Sequence, residues 1–289
     1  MAAEFTFKDE DMAAVKGKSV IITGCSSGIG LATVKLLLGL GASVVGGDIQ
    51  PPLEDDLKGD FTFLKTDIGV WKDLVNLFKT TYETYGRIDH VYANAGIGPT
   101  ADYFSDAVDE NGDLLEPSTR TYDITFKGNV NTGTLAIYYM KKQPEFGTIT
   151  FTASTSALQR ERAIDYSASK HGIVGFGRAI NAAFKANKLG IRVNTIAPSW
   201  TETPILKPVR PLADKLGIVV QPAEAVAKCV AYFMADPSQD GNLAVVQRSR
   251  YFELDDAVLL KAWNDMNQEA YSDEEILDRI TQEMLIQKK

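Results

Sequence analysis

Thr23-Gly24-Cys25-Ser26-Ser27-Gly28-Ile29-Gly30 follows the apolar run Ser19-Val20-Ile21-Ile22, and the reading of this stretch decides the fold. An apolar run, a glycine-rich turn and a helix start, in that order, bring backbone N–H groups and the positive end of a helix up to a pyrophosphate. A glycine in the turn takes φ > 0 at little steric cost, and one in the first helical turn lets a phosphate and the next strand come close. Twenty-four residues after Gly24, the run Ser43-Val44-Val45-Gly46-Gly47 ends in Asp48. A carboxylate there accepts hydrogen bonds from a ribose diol and meets a 2′-phosphate with like charge. The two stretches together predict a dinucleotide site that takes NAD in preference to NADP. The glycine spacing is G-x-x-x-G-x-G and not the general G-x-G-x-x-G, so the turn alone is weak. Strand, turn, helix and acid falling in order carry the reading.

Outward from this stretch, short apolar runs alternate with helical segments. Strands are expected at Ser19–Thr23, Ser43–Asp48, Phe61–Lys65, Asp89–Ala93, Gly147–Ala153, Ile191–Ile196 and Leu243–Val246. Most are β-branched and nearly continuous in apolarity, as strands covered on both faces are. Helices are expected at Gly28–Leu40, Val70–Tyr85, Thr119–Lys142, Asp165–Asn187 and Pro222–Ala235. The alternation predicts an α/β fold with one doubly wound parallel sheet of about seven strands, helices on both faces and right-handed crossovers. Residues 1–250 are expected to form a single catalytic domain, and 251–289 a helical tail packed on it. Pro99–Ser118 and the proline-bearing Thr201–Gln221 follow strands at the edge where such sheets bind ligands. They are the expected walls of a substrate pocket, with 199–221 as a lid.

Composition narrows the function classes. With 289 residues and 45% apolar content the chain can bury a sheet on both faces. A net charge of −8, spread along the chain, argues against nucleic acid and anionic membrane as partners. Cys25 and Cys229 form no disulfide framework or metal pattern, which fits a reducing compartment. The acidic Glu4, Asp9, Glu10 and Asp11 do not read as a signal peptide, and no stretch reaches the ~18 apolar residues of a membrane span. A cytoplasmic protein is the expectation. His90 and His171 have no companions at metal-ligand spacing, so no metal is expected.

Chemistry enters after the strand Gly147–Ala153. Ser154 stands at its end, and Tyr166-Ser167-Ala168-Ser169-Lys170 opens a helix twelve residues on. Four residues apart, Tyr166 and Lys170 share a helix face. A phenol with an unperturbed pKa of about 10 is a poor base at neutral pH. A neighbouring ammonium favours the phenolate, so Lys170 is expected to lower the Tyr166 pKa. Ser154 can hold a substrate oxygen while Tyr166 removes its proton. Tyr138 and Lys142 match the same Y-x-x-x-K spacing without a strand-end serine and are read as helix surface.

With these motifs in register, residues 18–246 resemble the short-chain dehydrogenase/reductase family, and in particular its fungal secondary-metabolite members with an extended tail. The resemblance rests on Thr23-Gly24-x-x-x-Gly28-Ile29-Gly30, Asp67, Asn94-Ala95-Gly96, Ser154, Tyr166-x-x-x-Lys170 and Pro198…Thr203. It implies a Rossmann-type fold with Gly24, Ser26, Ser27, Gly28, Ile29 and Gly30 around the pyrophosphate and Asp48 on the ribose. It implies Asp67 and Ile68 at the adenine, and Asn94, Ala95 and Gly96 beneath the adenosine. Lys170 would also bind the nicotinamide ribose, Thr203 would meet the carboxamide, and Pro198 and Thr201 would bind the cofactor as well. Ser27 and Ile49 stand where NADP-preferring relatives carry a basic residue.

The chain departs from the family pattern in places. Thr125 stands where the family has an Asn that supports a water linked to the lysine, with Asn129 one turn later. Ser199 replaces a glycine after Pro198, and the loop from Ser154 to Tyr166 is one residue short and charged, with Arg160, Glu161, Arg162 and Asp165. Thr125 or Asn129 is expected to keep the water, with Thr125 counted among the catalytic residues beside Ser154, Tyr166 and Lys170. The implied activity is reversible NAD-dependent oxidation of a hydrophobic secondary alcohol, such as a terpenoid or polyketide, by a homodimer or homotetramer. Two other readings use the same residues: an NADPH-dependent carbonyl or imine reductase, and a nucleotide-binding protein without turnover.

Overall fold

Val20, Ile21 and Ile22 are all fully buried, which requires their strand to be covered on both faces. In the computed structural model, which describes residues 1–53, 57–267, 275–277 and 279–280, that strand lies inside a nine-stranded sheet. In chain order the strands are β1 (Ala3–Phe5), β2 (Ser19–Thr23), β3 (Ser43–Asp48), β4 (Phe61–Lys65), β5 (His90–Ala93), β6 (Thr148–Thr152), β7 (Arg192–Pro198), β8 (Leu243–Gln247) and β9 (Arg250–Glu253). The sheet order is β1-β9-β8-β7-β6-β5-β2-β3-β4. The seven strands β2 to β8 run parallel, as the alternation of runs requires.

Helices α1 (Gly28–Gly39) and α6 (Ala223–Ala235) cover one face of the sheet. Helices α2 (Trp71–Tyr85), α3 (Asn129–Met140) and α4 (Ile164–Ala186) cover the other. Alternate residues of β2 serve the two layers. Val20 and Ile22 pack with Val34, Leu37, Val226 and Val230, whereas Ile21 packs with Leu74, Leu77 and Phe78. From β2 the chain runs outward to β3 and β4, then returns to β5 on the other side of β2. That reversal opens a crevice at the carboxyl ends of β2 and β5, where doubly wound folds bind ligands.

The structure adds three features to the expected fold. First, β9 pairs antiparallel with β8, and β1 pairs antiparallel with β9. Tyr251, Phe252 and Glu253 therefore belong to the sheet, and the expected helical tail begins as a strand. The apolar side chains Phe5, Phe7, Tyr232 and Tyr251 draw the edge together by ring packing. The tail then turns helical over Asp255–Leu260 and α7 (Lys261–Met266), while 268–274, 278 and 281–289 lie outside the described residues. Second, the expected helix over Thr119–Lys142 is in two parts, a π-helical stretch Tyr122–Gly128 leading into α3. Third, Thr201–Gln221 holds only a 3-10 turn, Pro204–Leu206, and the short helix α5 (Arg210–Lys215), as its prolines dictate. A parallel bridge between Thr201 and Gln221 closes the neck of this segment. Among the described residues no helix is long and apolar enough to cross a membrane.

Candidate active site

The glycine turn joins β2 to α1. Gly24 and Gly28 have φ of +70° and +51°, which side-chain-bearing residues rarely adopt. A Cβ on Gly30 would overlap the Gly24 carbonyl oxygen, and one on Gly28 would sit 2.9 Å from Thr203 Cγ2. Ser27 precedes α1 without a side-chain cap, so the helix presents its first N–H groups at the crevice. Asp48, at the end of β3, accepts the Ser26 N–H at 3.1 Å and the Gln50 N–H at 3.3 Å. Acid and turn are thus fixed to each other. A cradle emptied of Cβ atoms, an uncapped helix end and a carboxylate beside them fit a dinucleotide.

Asn94 closes the floor of the crevice. Its Nδ2 donates to Thr23 O at 3.2 Å and to Gly24 O at 3.4 Å, and its Oδ1 accepts from the Thr152 hydroxyl at 3.1 Å. The Thr23 hydroxyl accepts the N–H groups of Asn94 and Ala95. Asp67 Oδ1 accepts the Gly69 N–H at 2.8 Å. The Ile68 side chain is buried in the core. Pro198 ends β7, and Thr203 lies against Gly28. The Thr201 hydroxyl donates to Ser199 O at 2.7 Å and accepts from Gln221 Nε2 at 3.0 Å, which puts it in the neck of the 201–221 segment. Gln221 was not singled out from sequence. Its amide also donates to Val246 O and accepts the Ser249 N–H, tying the neck to β8 and to the turn before β9.

Ser154, Tyr166 and Lys170 come together at the end of β6. Ser154 caps the 3-10 turn Thr155–Ala157 by accepting the Ser156 N–H at 3.2 Å. Burial pushes the Tyr166 phenol up to about 12; the Ser154 hydroxyl bonded to it pulls the other way and the Glu161 carboxylate adds to the rise. Burial pushes the Lys170 ammonium down to about 7. Lys170 Nζ stands 5.6 Å from the Tyr166 ring centre and donates to Thr152 O at 2.7 Å. The expected lowering of the phenol pKa is therefore not a property of these side chains alone. The ammonium is buried and the phenol side chain half-buried, and desolvation favours the uncharged form of each.

Thr125 and Asn129 lie on the π-helical stretch and the start of α3. The Thr125 hydroxyl donates to Ile97 O at 3.1 Å and accepts the Ile97 N–H at 3.0 Å. Asn129 Nδ2 donates to Ala95 O at 2.9 Å and to Thr125 O at 2.8 Å, while its buried Oδ1 has no hydrogen-bond partner. A Cβ on Gly96 would lie 3.3 Å from Thr125 Oγ1 and 3.8 Å from Lys170 Nζ, which makes these groups neighbours. The second Y-x-x-x-K match lies elsewhere: Lys142 Nζ sits 3.8 Å over the exposed ring of Tyr138. His90 is buried in β5, where desolvation lowers its pKa to about 3, and His171 Nδ1 bonds Ser167 O. Among the described residues no three His, Cys, Asp or Glu side chains converge to hold a metal ion.

Known proteins resemble this chain in sequence and in fold. The sequence profile of the family described as short chain dehydrogenase matches residues 18–213. The chain is 44% identical over 258 residues to the short-chain dehydrogenase/reductase ascJ of Acremonium egyptiacum, covering 88% of this chain and 86% of that protein. It is 31% identical over 259 residues to a mitochondrial borneol dehydrogenase of Lavandula x intermedia, covering 84% of this chain and 97% of that one. Among solved structures it is similar in fold to a 3-ketoacyl-(acyl-carrier-protein) reductase from Brucella melitensis complexed with NADH. The TM-score is 0.68 at 22% identity, over 80% of this chain and 97% of that one.

Proposed function

The chain belongs to the short-chain dehydrogenase/reductase family, and from that premise we propose that it oxidises a hydrophobic secondary alcohol to a ketone with NAD, reversibly. The observation that carries the reading is the convergence of Ser154, Tyr166 and Lys170 at the end of β6, in the sheet whose β3 ends in Asp48. The turn Gly24–Gly30, with Ser26, Ser27 and Ile29, holds the pyrophosphate, and Asp48 the adenosine ribose. Asp67 and the backbone of Ile68 take the adenine, over the floor made by Asn94, Ala95 and Gly96. Lys170 clamps the nicotinamide ribose, and Pro198, Thr201 and Thr203 border the carboxamide. The bound nicotinamide supplies a hydride acceptor and a positive charge.

This chain's own residues do the proton chemistry. Ser154 holds the alcohol oxygen, and Tyr166 Oη takes its proton in the oxidative direction and returns it in the reductive one. Lys170, where protonated, stabilises the phenolate across the 5.6 Å that separates it from the ring. The unpartnered Asn129 Oδ1 gives a buried water a place on a path from Lys170 to solvent, while Thr125 holds Ile97 in position. A secondary metabolite of terpenoid or polyketide type fits the exposed apolar side chains of the flanking segments, among them Phe104, Leu114, Trp200 and Ile205. The reading includes a cytoplasmic homodimer or homotetramer paired through α3 and α4, with 199–221 as the lid.

NADH formation from NAD and a panel of secondary alcohols, borneol included, tests the reading, with Tyr166→Phe as control. Turnover that falls by about a hundredfold or more in the variant supports it. Activity with NADPH and none with NAD overturns the cofactor assignment. Tight NAD binding with no turnover on any alcohol or ketone overturns the enzyme.

A further inference from the structure

Asp165 precedes Tyr166 in the first turn of α4, and its exposure is 0%. A buried carboxylate is tolerated only where donors converge on it. Here Oδ2 accepts the N–H groups of Thr100 at 2.9 Å and Ala101 at 3.0 Å, and Oδ1 accepts the N–H of Tyr166 at 2.9 Å. The Thr121 hydroxyl also faces the carboxylate; it lies 2.9 Å from the Thr100 hydroxyl and 3.2 Å from Gly98 O. Burial pushes the carboxyl pKa up, but these donors outweigh it and the net shift is downward.

An ordinary helix-end carboxylate serves the N–H groups of its own helix. Asp165 gives its own helix one bond and gives two to backbone 64 and 65 residues away. Three pieces of the chain therefore meet at one side chain. They are the segment that leaves β5 and becomes the 99–118 wall, the residue that enters the π-helical stretch, and the helix head that carries the phenol. The neighbours of Asp165 extend the same pattern. Ile97 is pinned by Thr125, Gly98 by Thr121, and Thr100 and Ala101 by Asp165. Beyond Ala101 the segment is largely exposed, with Phe104 at 86%, so the clamp sits at the root of a projecting wall.

We propose that Asp165 is a positioning residue that fixes the root of the 99–118 wall against Tyr166 and so sets the size of alcohol the site accepts. The proposal rests on the reading of Tyr166 as the proton-transfer group. Its distinctive claim is that the wall, not the helix end, is what the carboxylate serves.

Asp165→Ser separates the two roles, because serine keeps an acceptor near the helix end and is too short to reach Thr100 and Ala101. Amide hydrogen exchange over residues 97–101 of the full chain is compared between wild type and variant, along with NADH binding. KM and kcat are measured for cyclohexanol and for the bulkier 2-decalol. The expected result is exchange faster by about tenfold or more over 97–101, with NADH affinity unchanged. KM for 2-decalol rises about tenfold while that for cyclohexanol changes little. Unchanged exchange overturns the clamp, and faster exchange with both KM values unchanged overturns its role in substrate fit. If the wild type binds NADH but oxidises neither alcohol, the proposed function fails for these substrates and the exchange result still decides the clamp. Should Asp165→Ser not fold, Asp165→Asn keeps the side-chain size and removes the charge that holds the Thr100 and Ala101 N–H groups; faster exchange at these two amides then supports the clamp, and unchanged exchange at both overturns it.

Discussion

Lys170 Nζ donates to Thr152 O at 2.7 Å, a bond from the second turn of α4 into the end of the strand that precedes Ser154. The ammonium that makes it is only 3% exposed, and burial lowers its pKa from 10.5 to about 7. Because the folded value lies below the unfolded one, the folded chain releases this proton first as pH rises. Stability from this group therefore increases between about pH 7 and about pH 10.5 and is lowest below pH 7. At about 1.4 kcal/mol per pKa unit, burying the charge costs a few kcal/mol in acid solution. Lys170→Met is expected to raise the Tm at pH 6.5, to raise it less at pH 9.5, and to abolish turnover. A Tm gain that does not depend on pH would refute the assignment.

Thr125 bonds both backbone groups of Ile97, whereas Asn129 keeps a buried Oδ1 without a partner. Thr125→Ser keeps the hydroxyl bonds to Ile97 and should retain most of the turnover, whereas Thr125→Val loses both and should destabilise the fold by about 1–3 kcal/mol. Asn129→Ala removes the free Oδ1 and should lower kcat about tenfold with an altered pH profile. An unchanged profile in Asn129→Ala would remove Asn129 from the proton path.

In the proposed reading Asp48 selects the cofactor through position as well as charge, since it accepts the Ser26 N–H of the glycine turn. Asp48→Ala should weaken NADH binding by about ten- to a hundredfold through the loss of charged hydrogen bonds. Asp48→Ser combined with Ile49→Arg should bring NADPH affinity above that for NADH. Fluorescence titration reads both, and a double variant that still prefers NADH would place the selectivity elsewhere.

Gly46 makes room for Cys25. A Cβ at Gly46 would fall 2.5 Å from Cys25 Sγ and 2.9 Å from Phe61 Cε2, so β3 tolerates no side chain beneath the phosphate turn. Gly46→Ala should destabilise by about 1–3 kcal/mol through overpacking and weaken NADH binding with it. Adding Cys25→Ala, which removes the sulfur, should recover part of both losses. Thermal melts and titration of the single and double variants measure the recovery.

The parallel core was legible because strands buried on both faces are continuous apolar runs. Ser19–Thr23, Ser43–Asp48 and Phe61–Lys65 have the expected bounds. What was not legible has local reasons. β1 is three residues long, too short for a pattern of its own. β9 follows a two-residue turn whose Arg248 and Ser249 both take positive φ, without the Asn or Gly that announces such a turn. The π-helical stretch is an extra residue in the turn of a helix, which leaves the apolar periodicity around it readable as one helix. In the candidate site, Tyr166 and Lys170 were found by spacing, but their pKa directions needed their burial. Asp165 read as one of four charges in a loop. An acid in the first turn of a helix, next to Tyr166, was the available signal, and nothing in the sequence ties it to Thr100 and Ala101.

The sheet edge formed by β1, β9 and β8 clasps together stretches of chain that are remote in order. Arg250 and Glu4, partners across it, are 246 residues apart. Closing so long a loop comes after local structure has formed, so this clasp belongs to the late events of folding. It can also be undone by itself, as a small cooperative unit whose release leaves the parallel core standing and bares the edge of β9. Partial unfolding of this protein would then begin at the clasp, and self-association through the freed strand edge would follow from it.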